Sequence, residues 1–192
     1  MDRLPARPRA ELDQAGQALW DELVASRGDQ IVDEGGGLRG PFNAWVQAPR
    51  IGARLASLGV ALRYETSLER NLTELAILTV GSHFRAEFEW WAHSRMARRH
   101  GVDEDVIAAL AAREEPVFGD DRQRLVHLVA SELVRTGRLS ETTREAAGSQ
   151  LDDVQLVELV TLCGYYTLVS LTLNAFDVGL PAGSDPQWPS RD

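Results

Sequence analysis

The sequence predicts an all-α fold, a bundle of helices joined by short connections. Two observations carry this. Apolar residues recur at three- and four-residue steps along most of the chain, the spacing that gathers them on one face of a helix. Val, Ile and Thr never collect into alternating runs bounded by hairpin turns, so essentially no sheet is expected.

A first helix is expected over residues 9–27, with Leu12, Ala15, Leu19 and Leu23 on one face and Gly28 as its end. Residues 33–42 contain Gly35-Gly36-Gly37, Gly40 and Pro41 and read as a loop, either a plain linker or a pocket edge leading to Phe42 and Trp45. Pro49 suits the first turn of the next helix, whose stripe is Ile51, Leu55, Leu58 and Leu62. After a polar turn at 67–71, residues 73–100 form a long helical region, with a possible break at 83–86 and Gly101 as its stop. Asp103 can cap a short helix to about Ala112. Residues 120–136 form another helix with Leu125, Leu128, Val129 and Leu133 inward, and Gly137 stops it. Ser140 can cap its successor. Asp152 or Asp153 starts the last long helix, which runs to about Phe176. The reading is one domain over 1–192, with a core at about 40–178 and an irregular tail at 179–192.

The chain has 192 residues, 44% hydrophobic and 26% charged, which suits a folded domain with a real core. Its net charge of −9, with arginines interleaved among more numerous acids, argues against nucleic acid and anionic membranes as partners. The N-terminus has no apolar run of a secretory signal. The longest apolar region, around 156–173, is interrupted by Thr161, Gly164, Ser170 and Thr172, so no membrane span is expected and cytoplasm is the expected compartment. The single cysteine, Cys163, cannot form an intrachain disulfide or a cysteine-based zinc site, and its apolar neighbours suggest a small buried hydrophobe.

The segment with chemical potential runs from Thr73-Glu74 to His93. Glu89 and His93 are four apart, so on a helix their side chains can meet. A carboxylate beside an imidazole favours the imidazolium and fixes its proton, one way to build an acid–base pair. The same spacing also makes an ordinary surface pair, and Glu74 can equally be a first-turn acid meeting the helix dipole. Phe88, Trp90 and Trp91 could wall a pocket or fill a core. His83 shares the face of His93 only if the helix is unbroken. His100 and His127 sit among arginines and read as solvated. No clustered ligand set points to a metal, and Gly35-Gly36-Gly37 lacks the context of a phosphate loop.

The order Glu74-Leu-Ala-Ile-Leu78, then Ala86-Glu-Phe-Glu-Trp90, Ala92-His93, and Gly101-Val-Asp-Glu-Asp-Val-Ile107 resembles the carboxymuconolactone decarboxylase-like family, which includes the alkylhydroperoxidase D-like (AhpD-like) proteins. Gly40-Pro-Phe-Asn-Ala44, Tyr165-Tyr166 and Asn174-Ala-Phe176 extend the likeness over about 30–178. The resemblance implies an AhpD-like helical bundle. In the peroxidase-like branch the motif is a Glu, a Cys-x-x-Cys twelve residues on, and a His four after the second Cys. Glu74 and His93 match, while the cysteine positions fall on Ala86 and Glu89. With both thiols missing, peroxide chemistry loses its nucleophile and its resolving thiol.

The remaining Glu89-x-x-x-His93 resembles the decarboxylase branch, which implies a cofactor-independent lyase or isomerase acting on a small carboxylated or lactone-like substrate. The expected roles are His93 as acid/base, Glu89 as orienting or second proton-transfer group, and Glu74 as relay or structural residue. His83, Trp90, Phe42, Trp45 and Tyr166 are the expected pocket residues. The resemblance also implies a homo-oligomer, a trimer or hexamer. The alternatives are a non-catalytic binding or assembly module and, last, a residual peroxidase-like activity.

Overall fold

Cap residues set the boundaries of most helices. The structure, a computed structural model, describes residues 3–189. Among them are α1 (Gln14–Arg27), α2 (Pro41–Gln47), α3 (Pro49–Tyr64), α4 (Arg70–Phe84), α5 (Glu87–Arg99), α6 (Glu104–Ala112), α7 (Asp121–Thr136), α8 (Glu141–Gly148) and α9 (Asp153–Ala175). The strand-like pairing among the described residues is one isolated bridge between Val32 and Leu38. Asp13, Asp103, Asp120, Ser140 and Asp152 each accept a backbone N–H of the first turn that follows, which satisfies a donor the helix itself leaves free. Asp152 and Gln155 form a reciprocal capping box.

α4 is the central helix, and every residue from Leu72 to Ser82 is buried. It packs against α9, α7, α5 and α6. Its end decides the geometry of the site. Arg85 adopts a left-handed conformation (φ 46°) and Ala86 bonds back to the Gly81 carbonyl. The chain reverses there, and α5 lies back along α4. The 73–100 helical region is therefore two helices, with the break inside the expected window.

Several expectations are corrected. The first helix starts at Gln14, because Asp13 caps it and Arg9–Glu11 is only a 3-10 turn. The Gly-rich loop gives way at Pro41 to the short helix α2, which apolar periodicity was too brief to reveal. On α3 the buried face is Gly52, Ala56, Gly59 and Leu62, whereas Ile51 and Leu58 are exposed. Small residues win because neighbours come close: a Cβ on Gly52 would lie 2.3 Å from the Trp45 carbonyl oxygen, and one on Gly59 2.3 Å from the Tyr165 hydroxyl. Leu128 is likewise exposed, while Leu125 and Val129 point inward.

α9 is long and apolar enough to cross a membrane by length and composition alone, a test that a core helix of a bundle also passes. In the fold it is a packed helix. Leu159, Leu162, Tyr166, Val169 and Leu173 are buried against the bundle. The C-terminal segment is less irregular in its contacts than its composition suggests. Glu87 accepts the backbone N–H groups of Gln187 and Trp188, and the Trp188 ring packs 5.2 Å from that of Trp90. The last residues of the expected tail, 190–192, and the first two of the chain lie outside the described residues.

Candidate functional site: a carboxylate–imidazole–carboxylate row

The reversal at Arg85–Ala86 brings Glu74 of α4 beside His93 of α5. His93 Nδ1 lies 2.7 Å from Glu74 Oε2. An ionised carboxylate only accepts, so Nδ1–H donates. Nε2 then faces Glu89, one turn back on α5, with Oε1 at 3.3 Å. That distance suits an ion pair but the contact is not a hydrogen bond, and Glu89 Oε1 is buried without a hydrogen-bond partner. The three side chains are almost sealed from solvent, Glu74 at 0%, Glu89 at 3% and His93 at 7% exposed.

The two carboxyls are driven in opposite directions. Burial pushes Glu74 upward, but the His93 hydrogen bond and the charges of His93, Arg63 and Arg70 outweigh it, and its pKa falls below the ordinary 4.5. Arg70 donates to Glu74 Oε1 at 3.1 Å and to the Arg63 carbonyl, tying the carboxylate to the end of α3. Glu89 lacks such donors. Burial raises it to about 7, opposed by His93 and Arg63 and assisted by Glu74. Two carboxyls on one imidazole with acidities set apart can divide acid and base roles.

His93 and Glu89 of this row line a cavity of about 500 Å³ between α1, α2, α3, α5 and α9. Gly40 explains how α2 reaches it. Its φ of 63° is left-handed, and a Cβ there would lie 2.4 Å from the Phe88 ring. Pro41 then starts α2, Asn43 donates to the Leu4 carbonyl, and Phe42 and Trp45 line the cavity. Tyr166 stands edge-on to His93 with ring centroids 5.1 Å apart. Burial raises its hydroxyl well above the usual range, so it stays a neutral donor.

Five arginines line the same cavity: Arg27, Arg39, Arg63, Arg95 and Arg99. None is ion-paired to a carboxylate among the described residues. Arg63 Nε, Trp45 Nε1 and Trp91 Nε1 are buried donors without acceptors. A buried donor left unsatisfied is costly, and a ligand rich in oxygen acceptors would relieve it.

The structure thus brings Glu74, Glu89, His93, Phe42, Trp45 and Tyr166 together, but not His83 or Trp90. His83 faces a different cavity, because the helix breaks between it and His93. Trp90 belongs with Ser94 and Ala97 on the other face of α5, in a separate apolar cluster with Trp188. Trp91 and Phe88 take the wall position instead. Glu74 holds His93 Nδ1 at 2.7 Å, and Glu89 faces Nε2 without a hydrogen bond. His127 is a further correction, since it is 7% exposed and not solvated. Cys163 is 2% exposed, and burial raises its thiol to about 12.

Fold and site together define, among the described residues, a helical bundle with a buried Glu–His–Glu row beside a cavity lined by five arginines. Residues 49–132 match the model of the carboxymuconolactone decarboxylase family. No curated protein matches the chain. Among solved structures, the chain is similar to an alkylhydroperoxidase AhpD core described as an uncharacterized peroxidase-related protein from Ralstonia eutropha. The TM-score is 0.73 at 12% identity, over 94% of this chain and 93% of that one. An uncharacterized peroxidase-related protein from a Silicibacter species aligns with TM-score 0.70 at 16% identity, over 93% and 90% of the two chains. The chain is carboxymuconolactone decarboxylase-like in sequence over the matched segment and AhpD-like in fold.

Proposed function

We propose that this protein is a cofactor-independent acid–base lyase acting on a small carboxylated substrate with a carbonyl or lactone group. The observation that carries the reading is the Glu74–His93–Glu89 row, in which one carboxyl is fixed as an anion and the other is poised near neutral pH. The match to the decarboxylase family supports it, as do the unpaired arginines and indole donors of the cavity.

In this reading the arginines hold the anionic substrate. Carbon dioxide leaves as the bond to the carboxyl carbon breaks, and the electron pair passes into the adjacent carbonyl as an enolate. Arg63 and the neutral Tyr166 hydroxyl can stabilise the developing oxyanion. The proton then goes to carbon from Glu89 or from His93 Nε2, and the pair is reset from solvent. Glu74 does not transfer the proton; it keeps His93 in one tautomer and orientation.

A peroxidase-type reading draws on the neighbours' printed descriptions. It is weakened by Cys163, the single cysteine, which is buried, outside the cavity lining and far from its thiolate form at neutral pH.

The test is incubation in deuterated water with a panel of β-keto acids and unsaturated carboxylated lactones, followed by NMR. Loss of the carboxyl with deuterium placed at the adjacent carbon is expected, and Glu89→Gln or His93→Gln should slow it about 10²–10⁴-fold. Turnover unaffected by either substitution would remove the proposal. So would a panel in which no member binds or reacts while hydrogen peroxide is consumed.

A further inference from the structure

The opposite flank of α4 carries Thr79, Ser82 and His83, which border a second cavity of about 220 Å³. It shares no lining residue with the first. At ~30 Å³ per liquid water, it has room for about seven waters or one small organic ion.

Its floor is His127 of α7. Nδ1 lies 3.1 Å from the Thr79 hydroxyl and Nε2 lies 3.3 Å from the Ser131 hydroxyl. Thr79 has one proton, and it donates that proton to the Leu75 carbonyl at 2.9 Å. Nδ1 therefore keeps its hydrogen and donates to Thr79, and Nε2 accepts the Ser131 hydroxyl proton, which leaves the Ser131 oxygen as an acceptor bordering the cavity. Burial, with Arg135 acting against Glu115, lowers the pKa of the ring and keeps it neutral. Ser82 is committed to the Leu110 carbonyl.

The rim is charged. Arg113 and Arg135 line it, and neither is ion-paired to a carboxylate among the described residues. Glu114 and Glu115 also line it. The Glu115 side chain is 88% exposed, and its Oε1 is 3.8 Å from His127 Nε2. The field of the arginines still penetrates: burial, then Arg113 and Arg135, depress His83. Arg113 itself closes α6 in a left-handed conformation, φ 61°. Glycine takes that position without strain, so the chain holds an arginine at this rim against its backbone preference.

We propose that this cavity binds a small oxyanion carrying its own hydroxyl group, either a hydrogen phosphate or an α-hydroxycarboxylate. The anionic oxygens meet Arg113 and Arg135, and the hydroxyl donates to Ser131 Oγ, whose own proton is donated to His127 Nε2. The site is independent of the Glu74–His93–Glu89 row.

The experiment is an NMR titration of the full chain with inorganic phosphate and, separately, lactate, against sodium chloride at matched ionic strength. Saturable shifts at His127, His83 and Ser131, with His93 unmoved, are expected. The tighter-binding probe identifies the source of the ligand. Arg113→Gly should weaken binding about tenfold, the loss of one charge-assisted hydrogen bond, while thermal stability stays level or rises because the strained residue is gone. Shifts that equal those in chloride, that centre on His93, or that survive Arg113→Gly at unchanged affinity would overturn the proposal.

Discussion

Glu89→Gln separates the electrostatics of the row from its shape. Gln has the size of the protonated carboxyl and no charge. Folding raises Glu89 from 4.5 to about 7, chiefly by burial. The native state therefore binds this proton more tightly than the unfolded chain. The stabilisation from holding it is complete below pH 4.5 and is lost as pH rises through 7. At about 1.4 kcal/mol per pH unit, the loss reaches about 3 kcal/mol by pH 8. Gln cannot ionise and escapes it. Glu74, lowered below 4.5, stays ionised across this window in both proteins and cancels in the comparison. Urea unfolding of the two proteins at pH 5 and pH 8 checks this. The variant should be close to wild type at pH 5 and more stable by about 3 kcal/mol at pH 8. A difference that does not change with pH, or that favours the wild type at pH 8, would refute the reasoning, because Glu89 would then be ionised without penalty.

Three further outcomes follow from other parts of the fold. Gly59→Ala should destabilise by about 1–3 kcal/mol, since its Cβ would lie 2.3 Å from the Tyr165 hydroxyl that donates to the Leu55 carbonyl; in a Tyr165→Phe background the cost, read by urea unfolding, should shrink. Cys163 should resist iodoacetamide in the native protein and react on unfolding, as its thiol is raised to about 12; rapid native alkylation, seen by mass spectrometry, would contradict its burial. Val157, Val160, Leu168 and Leu171 stand on one exposed face of α9 at 65%, 39%, 39% and 53%, and we propose that a second copy of the chain covers them. Leu168→Glu should then lower the sedimenting mass; a wild-type mass already equal to one chain, or a mass the substitution leaves unchanged, would overturn it.

Much of the fold was legible because its signals are local. Asp103, Ser140 and Asp152 announce helix starts through side chains that reach only two or three residues along the chain. The features that sequence missed depend on what lies opposite. On α3 Ile51 and Leu58 face solvent while Gly52 and Gly59 face inward, since only the close approach of Trp45 and Tyr165 makes small residues the better fit. Trp90 and Trp91 are consecutive, so their side chains leave α5 in different directions, and periodicity cannot say which meets the cavity. Arg70, four residues before Glu74, carried a readable sign of a paired carboxylate. Arg63 and the burial of His127 carried none, because Met96 and Thr79, which they meet, lie on other helices.

The geometry around the two glutamates follows from the same limit. Spacing along α5 favours Glu89 as the partner of His93, because i and i+4 residues meet on any helix. It is silent on Glu74, nineteen residues away, which takes Nδ1 at 2.7 Å once the chain reverses at Arg85. With that nitrogen committed and Arg70 securing the other oxygen of Glu74, the carboxylate at 74 cannot easily take up a proton. Glu89 is left with burial and no hydrogen-bond donor, which places its titration near neutrality. It also occupies one of the two positions where the resemblance would put a thiol. In the proposed chemistry the held imidazole beside that position therefore serves a carboxyl group, and a proton rather than an electron pair on sulfur is what the row can deliver.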